Sequence, residues 1–216
     1  MINKINIIHY ITIHSKRFFI FVLLGGLFQI SACGNKKTQP DPPRGETQSV
    51  DNSDSTPSDL TAEDLREAAF NNQMAKVQEA IKQGIDVNDR DDQNRTALML
   101  ASFNGHNEIV KLLLNQDAKL DMRNSEGRTA LMFAASGPFP ETVTSLLEAG
   151  ADPNLVDTKE HWTALMFAAA EGNTKVVQTL LKHGADASKK DVDGDTALNF
   201  ARDNGHNDVV QILQDI

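Results

Sequence analysis

This chain of 216 residues holds one cysteine, one tryptophan and one tyrosine. Without a second cysteine it has no intrachain disulfide, so packing must stabilise whatever folds. No serine lies in a Gly-x-Ser-x-Gly turn and no Gly-x-x-x-x-Gly-Lys phosphate loop occurs, which leaves no motif to which catalysis can be assigned. Basic residues are scarce as well: 21 Lys and Arg face 30 Asp and Glu. Long apolar runs are missing except near the start. There the uncharged stretch from Phe18 to Cys33 contains Gly25 and Gly26 and falls short of the roughly 20 apolar residues that a spanning helix needs.

That stretch is instead organised as an export signal. Residues 1–32 carry Lys4, Lys16 and Arg17 and no acid, then the apolar run, then small residues, the order of a secretory signal peptide. Ile30-Ser31-Ala32-Cys33-Gly34 resembles the lipobox of bacterial lipoproteins. The resemblance implies cleavage before Cys33, diacylation of its thiol and acylation of the new amino terminus. Two or more acyl chains suffice for stable anchoring, where one gives only marginal binding. Gly34 rather than Asp after the cysteine implies the outer membrane, in an envelope with two membranes, with the protein facing the periplasm.

Removing residues 1–32 leaves 18 basic residues against 30 acidic ones, a balance near −12. Such a chain repels nucleic-acid phosphates and anionic lipid alike. Attachment to the membrane is therefore expected through the lipid on Cys33, and a protein partner of basic character fits the charge. From Gly34 to Asp59 the chain is rich in Pro, Ser, Asp, Asn and Thr and nearly free of apolar residues, a composition that cannot offset its own chain entropy. Residues 33–59 are accordingly read as the lipidated cysteine and a disordered tether, with a mean reach of about 28 Å and a maximum of about 85 Å.

The rest of the chain repeats. Thr96-Ala-Leu-Met-Leu-Ala-Ser102, Thr129-Ala-Leu-Met-Phe-Ala-Ala135, Thr163-Ala-Leu-Met-Phe-Ala-Ala169 and Thr196-Ala-Leu-Asn-Phe-Ala-Arg202 place their threonines 33, 34 and 33 residues apart. A fixed period of this size marks a stacked-repeat architecture. Leu98, Ala101 and Ser102 lie at helical spacing, Asn104-Gly105-His106 interrupts, and Ile109, Val110, Leu112, Leu113 and Leu114 resume: helix, turn, helix. Counting back 33 residues aligns Leu65 with Leu98, Ala68 with Ala101, Val77 with Val110 and Ile81 with Leu114. A degenerate first repeat thus begins near Leu60, opened by Thr61-Ala62-Glu63-Asp64 as a helix cap.

Gly127-Arg128-Thr129-Ala130-Leu131, Asn104-Gly105-His106, Val176-Val177-Gln178-Thr179-Leu180-Leu181 and Gly150-Ala151-Asp152-Pro153-Asn154 together resemble the ankyrin-repeat consensus. The resemblance covers residues 60 to 216. It implies an all-α solenoid of about five helix-turn-helix repeats with short finger loops, at about 60–93, 94–126, 127–160, 161–193 and 194–216. The family's proline is Ala97, Ala130, Ala164 and Ala197 here, and its histidine is Met99, Met132, Met166 and Asn199. Apolar packing is expected to replace the hydrogen bonds of that histidine.

The resemblance also implies a binding surface on the finger tips and the exposed side of the first helices. Carried over position by position, it comprises Arg95, Phe103 and Asn104 in the second repeat and Ser125, Glu126, Arg128 and Ser136 in the third. It continues with Lys159, Glu160, Trp162, Ala170 and Glu171 in the fourth, and Asp193, Asp195, Asp203 and Asn204 in the fifth. Trp162 follows a one-residue insertion in its finger and reads either as a protruding anchor or as a side chain packed over the neighbouring finger. Phe139, in the Gly137-Pro138-Phe139-Pro140 turn, is open to either reading, on the surface or covered. The methionine column reads as core filler rather than a copper(I) site. His161 and His183 make only a weak metal reading, and the finger acids lack the spacing of a calcium loop. No metal, cofactor or enzymatic activity is expected, the alternative being a metal-binding or catalytic envelope protein without a recognisable motif. The expected protein is a monomeric, membrane-anchored scaffold, serving as inhibitor, immunity or protective partner of an envelope protein.

Overall fold

The computed structural model describes residues 59–216. The signal segment, Cys33 and the tether up to residue 58 lie outside the described residues.

Ten α-helices and no strands occur among the described residues. They alternate between first helices, namely α1 (Ala62–Phe70), α3 (Ala97–Phe103), α5 (Ala130–Ala135), α7 (Ala164–Ala170) and α9 (Ala197–Asp203), and second helices. The second helices are α2 (Met74–Lys82), α4 (Asn107–Leu114), α6 (Pro140–Glu148), α8 (Thr174–Lys182) and α10 (Asn207–Gln214). Each first helix packs on its own second helix and on the first helix of the next repeat, which makes two helical layers. Helices of six to nine residues are too short to persist alone in water, so this stacking stabilises them.

The heptad is the core of the stack. Leu65, Leu98, Leu131 and Leu165 form one buried column and Met99, Met132 and Met166 another. Each heptad threonine caps its helix from an extended backbone conformation. The Thr96, Thr129 and Thr163 hydroxyls accept the amides of Met99, Met132 and Met166. The methionines contribute more than apolar packing. Thr129 N–H donates to Met132 Sδ at 3.5 Å and Thr163 N–H to Met166 Sδ at 3.4 Å, weak bonds to a poor acceptor. Asn199 makes the stronger version, accepting the Thr196 amide at 2.9 Å.

The first repeat keeps the burial phase, with Leu65, Ala68, Ala69 and Val77 inside. Its helix nevertheless starts at Ala62, two residues before the position 33 steps back from Ala97. The cause is local: Thr61 and Asp64 form a reciprocal capping box. A hydrogen bond from Lys76 holds the Asp64 carboxyl well below its usual range, helped by Thr61. This contribution is present above the ordinary carboxylate pKa and is lost as the pH falls towards the lowered one.

Asparagines in the segments between second helices and fingers join successive repeats. Asn88 accepts Lys119 N–H at 2.8 Å and donates to the Asp117 carbonyl. Asn154 does the same with Asp186 N–H and the Gly184 carbonyl. The equivalent in the second repeat is Asp121, which only accepts, from Asp152 N–H at 3.4 Å. An asparagine there supplies the missing donor to the Gly150 carbonyl. Asp121→Asn is therefore expected to stabilise the protein by about 0.5–1.5 kcal/mol, read as a rise of a few degrees in the thermal midpoint. An unchanged midpoint would refute the clamp.

Candidate functional site: the inner face of the repeat stack

The fingers are built on one side chain each. Asp91 Oδ1 accepts the amides of Gln93 and Arg95, Asn124 those of Glu126 and Arg128, and Asp191 those of Asp193 and Asp195. In the finger leading into the fourth repeat Asp157 reaches one residue further, to Glu160 at 3.0 Å and Trp162 at 3.2 Å. His161, at φ 58°, stands in the left-handed place that Asn94, Gly127 and Gly194 hold in the other fingers, so the extra residue lies between Asp157 and His161. The fingers are also tied to one another through the backbone: Ser125 N–H to the Gln93 carbonyl, Thr158 to Glu126, and Val192 to Glu160, at 2.9 to 3.1 Å.

The exposed and half-buried side chains assigned to the inner face divide into three groups. Charged residues from neighbouring fingers meet: Glu126 lies 3.2 Å from Arg128 and 2.8 Å from Lys159. Arg128 Nε lies 3.7 Å from the buried Asp157 carboxylate, and its guanidinium covers the Phe167 ring at 5.0 Å. Arg95 folds onto Asp91 at 2.7 Å. Burial raises the pKa of Asp91, but the backbone and side-chain N–H groups of Arg95 outweigh it and hold the carboxyl below its usual range. Ser125 stands exposed beside them, and the Ser136 hydroxyl donates back to the Phe133 carbonyl.

A second group serves the stack itself. The Asn104 amide donates to the Phe70 carbonyl at 2.8 Å, and the Asn204 amide to the Ala170 carbonyl at 2.7 Å. His106 and His206 bond to the same two carbonyls. Ala170 is 6% exposed and Trp162 7%, so neither offers a side chain to a partner. Of the two readings left open for Trp162, the protruding anchor is corrected. The indole lies 5.0 Å from the Phe167 ring and 4.3 Å from the Phe200 ring, filling the position that Arg128 takes one repeat earlier. The exposure of Phe139, left open by its turn, is settled by the fold: it is half-buried, and a Cβ on Gly105 would meet its ring at 2.2 Å. His206 covers Gly172 in the same way, so Phe139 does for the third repeat what that histidine does for the fifth.

The third group is acidic. Glu160, Glu171, Asp193 and Asp203 are exposed and Asp195 is half-buried. None of them forms an ion pair with Lys or Arg among the described residues. Desolvation by its surroundings pushes the Glu171 carboxyl up, against the opposing charge of His206.

The position-wise reading missed one column. Leu100, Phe133, Phe167 and Phe200, the fifth residue of each heptad, line the first helices. Phe103 meets Phe133 edge to face at 6.0 Å, and Trp162 bridges the next two rings. The signal was present in the heptads themselves, as Leu, Phe, Phe, Phe at one position. Among the described residues no group of three or more His, Cys, Asp or Glu gathers to hold a metal, and no helix is long and apolar enough to cross a membrane.

The sequence matches the family model for ankyrin repeats (3 copies) over residues 65–157 and 137–216. A comparison with curated proteins gives no match. Matched threonine caps, buried leucine columns and paired helical layers accompany a family match that spans most of the chain, and the chain belongs to the ankyrin-repeat family.

Proposed function

We propose that the protein is a membrane-anchored scaffold that holds another protein on the inner face of its repeat stack. One observation carries this reading. Behind the face the buried column is uniform, Leu98, Leu131 and Leu165, whereas the residue seven places after each heptad threonine changes from Phe103 to Ser136, Ala170 and Asp203. Core positions in a solenoid repeat because every interface is the same interface. A face that varies along one continuous surface is suited to matching one particular partner.

The anchor is the lipid on Cys33, which would hold the stack in the bacterial envelope, at the outer membrane and facing the periplasm. The acidic balance favours a basic partner, and a role as inhibitor, immunity or protective partner of an envelope protein follows from that placement. Two experiments on the full chain test the proposal. Cys33→Ser is expected to move the protein from the membrane to the soluble fraction and to abolish labelling by a palmitate analogue; retention in the membrane would refute the lipid anchor. A partner cross-linked and purified with the native chain is expected to be lost with Ser136→Tyr, at the centre of the inner face. It is expected to be kept with Glu148→Tyr on the second-helix layer. Equal recovery with both variants would refute the inner face as the binding surface.

A further inference from the structure

The inner face changes character along the stack. Up to Lys159 each of its cations is matched by a carboxylate: Arg95 by Asp91, Arg128 by Glu126 and Asp157, and Lys159 by Glu126. Beyond Lys159 the carboxylates of Glu160, Glu171, Asp193, Asp195 and Asp203 have no ion pair with Lys or Arg among the described residues. These acids do not stand alone. Phe200, on α9, is half-buried, and Asp203 follows it by three residues, neighbours on one side of a helix. Asp203 occupies the place of Phe103 and Ser136, and Glu171 ends α7 in the repeat before.

The chain already shows what such an arrangement holds. One repeat earlier the Arg128 guanidinium lies over the Phe167 ring, with Glu126 and Asp157 as its counter-charges. At the next ring, Phe200, Trp162 takes the arginine's place at 4.3 Å, and the carboxylates of Glu171, Asp195 and Asp203 around it remain without a Lys or Arg counter-charge among the described residues. We propose that the inner face of the fourth and fifth repeats docks an extended segment of the partner protein bearing Lys or Arg. The aliphatic stem of a cationic side chain lies along the exposed part of Phe200, and its head meets Asp203 and Glu171. Long cationic side chains satisfy both halves of such a surface at once, and the charge complementarity sets both orientation and on-rate. This rests on the scaffold reading above and adds the chemical class of what is held, and where.

The single tryptophan provides the reporter, because Trp162 lies against Phe200. The full chain is titrated with a synthetic arginine-rich peptide and with a matched peptide carrying glutamate at the same positions, following tryptophan fluorescence and heat of binding. Saturable binding of the cationic peptide alone is expected. Glu171→Gln with Asp203→Asn, both exposed positions, is expected to weaken it about tenfold or more and to flatten its salt dependence. Glu141→Gln with Glu148→Gln removes the same charge from the exposed side of α6 and is expected to change affinity less than about twofold. Circular dichroism confirms that each variant is folded. Equal weakening by both pairs, showing attraction by net charge alone, would overturn the proposal, as would no saturable binding of the cationic peptide. If the peptide fails while Ser136→Tyr still removes the purified partner, the scaffold reading stands and the cationic docking site falls.

Discussion

Trp162→Ala is expected to destabilise the protein by about 3–5 kcal/mol, the range for deleting a large aromatic from a packed interior. The indole is 7% exposed and is held between the rings of Phe167 in its own repeat and Phe200 in the next. Its loss therefore removes part of the interface between the fourth and fifth repeats as well as the volume of the side chain. In a stack stabilised by nearest neighbours, a weakened interface releases the terminal repeat before the others. Hydrogen exchange should show α9 and α10 losing protection while α3 and α5 keep theirs, with the total loss read from urea unfolding followed by circular dichroism. Trp162→Phe, which keeps a ring in the slot, is expected to recover more than half of the difference. A loss below about 0.5 kcal/mol, the usual range for a surface substitution, would show that the indole does not join the two repeats. The same result explains why Trp162 is unsuited to probe partner capture: its removal would lower binding by loosening the last repeat.

Much of the architecture was legible because helical periodicity reports directly on burial. The heptad leucines are buried, the degenerate first repeat falls in phase through Leu65, Ala68 and Val77, and Thr61 with Asp64 caps α1. What periodicity does not report is which groups meet between repeats. Asn104 and Asn204 sit at positions the family exposes, yet their amides reach back to carbonyls 34 residues earlier. Phe139 looks like a surface aromatic in its turn, yet Gly105 from the preceding repeat and Gly137 from its own both close on its ring. Trp162 could be placed either way, because its direction depends on how the finger absorbs an inserted residue. The finger absorbs it before His161, which keeps the left-handed conformation that Asn94, Gly127 and Gly194 have at the same place. The aromatic column was spelled out at one heptad position but reads as core, since half-burial on the inner face and full burial behind it use the same residue types.

That inserted finger depends on Asp157, whose replacement by alanine is expected to cost about 3–4 kcal/mol. Asp157 is 2% exposed and accepts the amides of both Glu160 and Trp162. Removing an acceptor from a buried donor costs about 1–3 kcal/mol for each group left unsatisfied, and the Trp162 amide belongs to a buried residue. The carboxylate also faces Arg128 Nε, but at 3.7 Å that contact is too long for a hydrogen bond and contributes less than the two amides. The comparison that separates the effects is Asp157→Asn. Asparagine keeps the Oδ1 acceptor, as Asn124 does at the same place in the preceding finger, and gives up only the charge opposite Arg128. It is expected to cost about 1 kcal/mol or less, the scale of a screened, partly exposed ion pair. Urea unfolding of the two variants decides between the mechanisms. A large loss in both would make the charge on Arg128 the dominant partner, and a small loss in both would mean that the finger keeps its shape without its buried acceptor. With alanine alone strongly destabilised, the carboxylate acts through the backbone: it folds the finger that places Trp162 against Phe200, and through that contact it shapes the acidic end of the inner face.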